Sequence, residues 1–201
     1  MPESTDHLVS LDVDHPFWER FFLVHPLVVI GTREPDGTFD LAPKHMAMPM
    51  GWGPFFGFVC TPRHATYHNA RREGAFTVSY PTPEQVVAAS LSATARCDDA
   101  TKPVLKTLPT LPARSVEGVL LRDAYLYLEC RLERIVDGFG ANSLIAGRVV
   151  AAHVHEDALR QEDRDDQEVL ATAPLLAYLH PGRFATINAS QAFPFPAHFK
   201  R

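Results

Sequence analysis

Two stretches of the chain concentrate side chains suited to holding a charged ligand that carries an aromatic ring. The first is Asp40-Leu41-Ala42-Pro43-Lys44-His45-Met46-Ala47-Met48. Lys44 offers a cation, His45 a donor or an acceptor, and Met46 a polarisable surface that can lie against a ring. The second is Cys60-Thr61-Pro62-Arg63-His64-Ala65-Thr66-Tyr67-His68-Asn69, which reads as a strand end running into a helix. Free N–H groups at a helix start, the Thr61 and Thr66 hydroxyls and the Arg63 fork together suit a phosphate. The same residues would equally make a capped helix beside an amphipathic strand, because helix starts of this kind are common.

Other chemistry-bearing residues give weaker patterns. His64 and His68 stand four apart on the same helix and would form half of a metal site, but no third ligand lies nearby in sequence, so no metal site is expected. His153 and His155 share a strand face beside an acidic loop and read as an exposed edge. Cys60 and Cys130 fall within strands and read as small buried apolar residues. Ser79 and Ser143 lack the G-x-S-x-G context of a nucleophile elbow. No single side chain is assigned as a catalytic residue.

The elements that must position these residues follow from periodicity. Asp14 to Phe22 predicts a short helix with Phe17, Phe21 and Phe22 facing the core. Leu27 to Ile30 is a continuous apolar run, the pattern of a strand buried on both faces. The turn Glu34-Pro35-Asp36-Gly37-Thr38 returns it as a second strand, Phe39 to Met46. After a break at Gly51 to Pro54, a third strand spans Phe55 to Cys60. A helix from Thr61 to about Glu73 follows, with Thr61 as its cap, and Gly74 stops it. A fourth strand (Ala75–Tyr80) and an alanine-rich helix (Gln85 to about Arg96), read as packing, come next.

Residues 97–116 carry three prolines and read as a surface excursion, with a short helix around Lys102 to Thr107. Two long strands, Ala124 to Val136 and Leu144 to His155, join through the turn Asp137 to Gly140. Glu168 to Leu179 predicts a helix interrupted by Pro174, and Arg183 to Asn188 a last strand before the proline-extended tail, 189–201. Six or seven strands with a hairpin at the start and a long paired set later predict a mainly β antiparallel barrel with helices in one domain, 1–201. No GxGxxG follows the first strand, so a Rossmann nucleotide site has no support.

Composition narrows the function classes. An apolar fraction of 46% and a charged fraction of 21% are ordinary for a globular chain. A net charge of −5 gives no broad basic field, so nucleic acid is not an expected partner. No segment approaches the ~20 apolar residues that cross a bilayer, so no membrane association is expected. Met1 to Asp14 is polar and acidic, unlike a signal peptide, and three widely spaced cysteines offer no disulfide framework, which makes the cytoplasm the expected compartment.

The order of several short motifs resembles the flavin reductase-like family of FMN-binding split barrels. Pro26-Leu27-Val28-Val29-Ile30-Gly31-Thr32, then Asp36-Gly37, then Leu41-Ala42-Pro43, resemble that family's opening hairpin. Thr66, Asn69, Gly74, Phe76 and Val78 match its helix-and-strand pattern. Leu128-Glu129-Cys130 and Gly147-Arg148-Val149 match two later strands. The resemblance covers roughly residues 15–190, and the motifs are individually loose but correctly ordered.

The resemblance implies an antiparallel FMN-binding split barrel acting as a homodimer, with FMN, or FAD, near the subunit interface. It places Lys44, His45, Met46 and Ala47 beside the isoalloxazine ring and Thr61, Arg63 and Thr66 at the ribityl phosphate. It leaves Asn69 to brace the helix. Lys44 or His45 would then supply positive charge to the ring. The implied activity is hydride transfer from NAD(P)H through flavin to a small acceptor, the cofactor carrying the chemistry. One departure stands out: many NAD(P)H-using members carry a His in the turn before G-x-V, where this chain reads Gly138-Phe139-Gly140-Ala141-Asn142-Ser143. That departure supports the alternative of a non-catalytic flavin-binding or electron-transfer protein.

Overall fold

A computed structural model describes residues 7–196. Residues 1–6 and 197–201, which include the start of the acidic N-terminus and the end of the predicted tail, lie outside the described residues. The strands are β1 (Leu23–Pro26), β2 (Val28–Arg33), β3 (Phe39–Lys44), β4 (Ala47–Pro49), β5 (Phe55–Cys60), β6 (Ala75–Tyr80), β7 (Thr110–Pro112), β8 (Val119–Leu121), β9 (Leu126–Phe139), β10 (Asn142–Val154), β11 (Leu175–His180) and β12 (Arg183–Ile187). The helices are α1 (Ala65–Glu73), α2 (Val86–Leu91) and α3 (Asp166–Thr172).

Seven strands form one antiparallel sheet in the order β3-β2-β6-β9-β10-β5-β4. Laid flat, its outer strands would stand roughly 29 Å apart at the usual strand spacing. Yet β3 and β4 are consecutive in the chain, separated only by His45 and Met46. That link reaches at most about 11 Å. The sheet therefore curls until its two edges meet, giving a barrel closed at one end. β3 and β4 do not pair with each other, so a seam remains.

Alternation sorts the side chains into two cores. Val28, Ile30, Phe56, Phe58, Cys60, Phe76, Val78, Cys130 and Ile145 fill the barrel, joined by Tyr67 and Ala70 of α1. Phe58 and Phe76 meet edge-on at 5.2 Å. On the outer face, Val29 and Leu41 pack with Ala89 of α2 and with Leu108, Val119 and Leu121. This is why Leu27 to Ile30 reads as an unbroken apolar run: β2 is covered on both sides. The alanine-rich helix packs as expected, though it is shorter, with Thr82 and Gln85 forming a capping box just before it.

The excursion is pinned to β3 by charge. Lys102, nearly buried, donates to Asp40 Oδ1 at 3.0 Å, to the Leu41 carbonyl at 2.8 Å and to the Ser92 carbonyl at 2.6 Å. Arg96 adds ion pairs to Glu34 and Asp40. A second buried charge closes the next loop. The Glu129 carboxylate, fully buried on β9, accepts from the backbone N–H groups of Arg114, Ser115 and Val116. Full hydrogen bonding is what makes a buried carboxylate tolerable.

Several local expectations are corrected. The predicted helix at 14–22 is only a 3-10 turn at Trp18–Arg20, and Phe21 and Phe22 are exposed. Its aromatics stack on each other rather than on the barrel, with Phe17 4.5 Å from Trp18. The predicted helix after Glu168 ends at Thr172, and Leu175–His180 is instead strand β11. β11 pairs with β1 and β12 in a separate three-stranded sheet, and β7 and β8 form a small hairpin; β1, β4, β7 and β8 were not read as strands from the sequence.

The Glu129 arrangement has a measurable consequence. Glu129→Ala leaves three partly buried N–H groups without their acceptor and should destabilise the protein by about 1.5–3 kcal/mol. Denaturant unfolding checks this; a change within error would mean that water replaces the carboxylate at no cost.

Candidate functional site

The seam residues His45 and Met46 lie where β3 and β4 fork, and the Met46 carbonyl is tied back by the Val59 N–H at 2.8 Å. Met46 is 43% exposed, and Met48, Met50 and Trp52 continue an exposed apolar face beyond it. Ala47 is buried in the barrel core opposite Phe58. The stretch thus presents a half-buried cation, an imidazole and a thioether in succession at the barrel's edge.

The Lys44 ammonium makes no hydrogen bond or ion pair with a described residue. Burial pulls its ammonium below the usual lysine range; Cys60 and Asp40 oppose this, and nearby Lys102 adds to it. His64, at the start of α1, is likewise lowered, first by burial and then by Lys44. Lys44 therefore stands within electrostatic reach of the junction between β5 and α1, so the two stretches singled out in the sequence converge.

That junction differs in detail from the expected capped helix. Thr61, Pro62 and Arg63 form a turn, with the His64 N–H donating to the Thr61 carbonyl at 3.1 Å, and α1 begins only at Ala65. His64 takes the cap position with extended backbone and no side-chain cap bond. The first N–H groups of α1 are therefore left without a side-chain acceptor. Thr61 is half-buried and its Oγ1 accepts weakly from the Arg63 N–H at 3.4 Å. The Arg63 side chain is exposed and has no carboxylate partner. Thr66 is buried in the first turn, and Gly74 ends the helix in the left-handed region at φ 65°. Asn69 is buried and bonds Thr32 Oγ1 at 3.2 Å, which fixes α1 against β2.

A group missed in the sequence surrounds His45. Its ring lies 4.6 Å from Tyr178 and 5.5 Å from both His25 and His180. These come from β1 and β11, so the small sheet flanks the seam. His45 Nε2 and His180 Nδ1 are buried without hydrogen-bond partners. Burial, then His25, His180 and Lys44, push the His45 pKa down to about 4. At neutral pH His45 is uncharged, and Lys44 is the source of positive charge in the stretch. A signal for Tyr178 and His180 exists in the sequence: Pro181-Gly182 between Leu175–His180 and Arg183–Ile187 is a hairpin turn pattern.

An antiparallel sheet curled on itself and left open at one seam, with a helix start beside that seam, defines a split-barrel protein. The chain belongs to the family described as the flavin reductase like domain, whose model matches residues 20–187. Solved structures share its fold. Nitrilotriacetate monooxygenase component B from Bacillus cereus is 20% identical with a TM-score of 0.78, covering 95% of this chain and 100% of its own. The 2-nitrobenzoate 2-nitroreductase of Pseudomonas fluorescens is 17% identical with a TM-score of 0.79, covering 98% and 99%. Flavoredoxin of Desulfovibrio vulgaris (Miyazaki F) is 17% identical with a TM-score of 0.75, covering 94% and 99%. No curated protein sequence matches the chain. Among the described residues no helix is long and apolar enough to cross a membrane.

The histidine environment predicts a pH effect. The free imidazole gains its proton near pH 6.5, whereas folded His45 does so only near 4. Its contribution is complete above about pH 6.5 and is lost as the pH falls toward 4. The urea midpoint of the wild type should fall more between about pH 7.5 and about pH 5 than that of His45→Gln. Parallel curves for the two proteins would contradict this.

Proposed function

We propose that the chain is a flavin-dependent oxidoreductase, one domain per subunit, that holds FMN across the seam and the start of α1. The observation that carries this is a pair of cations without carboxylate partners, Lys44 and Arg63, near a helix start that has no side-chain cap. An anion with a ring attached satisfies all three features at once. Lys44, His45, Met46 and Ala47 would hold the ring, and Thr61, Arg63 and Thr66 the phosphate. The phosphate is what favours FMN over a flavin lacking one.

The bound flavin supplies hydride acceptance and release, and NAD(P)H is the expected donor. The chain's own residues bind and orient. Lys44 places a fixed positive charge beside the ring in a site where burial strengthens its effect. His45, neutral and with Nε2 unpartnered, can donate or accept a hydrogen bond without adding charge. Met46 offers its thioether to the ring face. A second copy of the chain would cover the exposed face formed by Met46, Met48, Met50 and Trp52, which excludes water from the seam.

A second reading is a flavin-binding or electron-transfer protein without NAD(P)H turnover. The observation favouring it is the tip of the β9–β10 hairpin, residues 138–143, which carries no imidazole. Anaerobic mixing of the flavin-loaded protein with NADH and with NADPH separates the two: bleaching supports the oxidoreductase, and retained colour supports the carrier.

The phosphate clamp gives a quantitative expectation. Arg63→Ala should weaken FMN binding by about 1.5–3 kcal/mol while leaving riboflavin binding nearly unchanged. Fluorescence titration checks both. Equal affinity of the wild type for FMN and riboflavin would remove the clamp from the account.

A further inference from the structure

A cleft of about 330 Å³ adjoins the seam, between β3, α2 and the turn joining β11 to β12. Its wall contains three rings: His45, Tyr178 and Phe184. Val86, Ala89 and Ser90 of α2 also line it. Two cations, Lys44 and Arg183, line it, and no acidic residue does. Neither cation has a carboxylate partner among the described residues.

These features specify a ligand. Three ring walls favour a flat aromatic body, and the small side chains of Ala89 and Ala93 leave room beside them. Paired cations without counter-charge favour an anion, and the planar Arg183 fork matches a carboxylate better than a spherical ion. The volume lies at the bottom of the range for small-molecule pockets, which fits one or two fused rings and is too small for a whole dinucleotide. Phe184 is 55% exposed, as a ring that becomes covered on ligand entry would be.

We propose that this cleft binds a small aryl carboxylate, seated beside the flavin stretch with its ring among His45, Tyr178 and Phe184 and its carboxylate on Arg183. As a site next to bound flavin the inference rests on the function proposed above; the cleft's affinity for the anion does not. Lys44 and His45 are the residues common to both sites, so a molecule in the cleft lies next to whatever the seam holds.

The test uses salicylate as probe and the flavin-loaded full-length protein, with binding followed by salicylate fluorescence. Salicylate should bind at least about tenfold tighter than its neutral analogue salicylamide. Arg183→Gln should weaken salicylate by about tenfold or more without altering salicylamide, and Phe184→Ala should weaken both. Saturating salicylate should leave the affinity of the wild type for FMN intact. Equal binding of salicylate and salicylamide, or an unchanged Arg183→Gln protein, overturns the proposal. Competition between salicylate and FMN also overturns it, because the cleft would then be part of the flavin's own seat. A wild type that binds FMN but not salicylate removes this inference alone. One that binds salicylate but not FMN leaves the anion cleft standing and removes the flavin reading.

Discussion

Closure of the barrel depends on one short link. β3 and β4 are the two edges of a seven-stranded sheet, and only His45 and Met46 join them. The chain cannot satisfy that link and keep the sheet flat. Closing it bends the sheet round Phe56, Phe58, Phe76 and Ile145, and the same closure brings Lys44 toward the β5–α1 junction. Fold and candidate site therefore share one constraint: the link that seals the barrel carries His45, whose buried Nε2 has no hydrogen-bond partner, and follows directly on Lys44.

The contrast between the chain's charges makes the point. Lys102 and Glu129 are deeply placed, and each is fully engaged, with carbonyls and Asp40 in one case and backbone N–H groups in the other. They hold loops to the barrel. Lys44 and Arg63 have no such partner, although Asp40 stands close enough to influence Lys44. The proposed flavin site rests on this difference: Lys44 is half-buried beside the seam with no ion pair of its own.

Much of this was legible in the sequence because it rests on local rules. The unbroken run Leu27 to Ile30 marked a strand covered on both faces, Asp36-Gly37 marked the hairpin, and Gly74 marked the end of α1. The stretches at Lys44 to Ala47 and Thr61 to Thr66 were both singled out, and the fold brings them near each other. What was not legible depended on contacts across the chain. Phe17, Phe21 and Phe22 have helical spacing, yet they pack mainly with their own neighbours, so the periodicity carried no core. Leu175 to Leu179 falls within the predicted helix from Glu168, whereas pairing with β1 makes Leu175–His180 a strand. With it came His180 and Tyr178, which no local pattern connects to His45.

A crystal structure of the protein grown with FMN tests the central claim most directly. The account predicts the ring against His45 and Met46 at the fork of β3 and β4, with the phosphate at the first turn of α1 beside Arg63. Flavin bound elsewhere on the barrel, or a fork filled by the chain's own side chains while FMN is in excess, would contradict it.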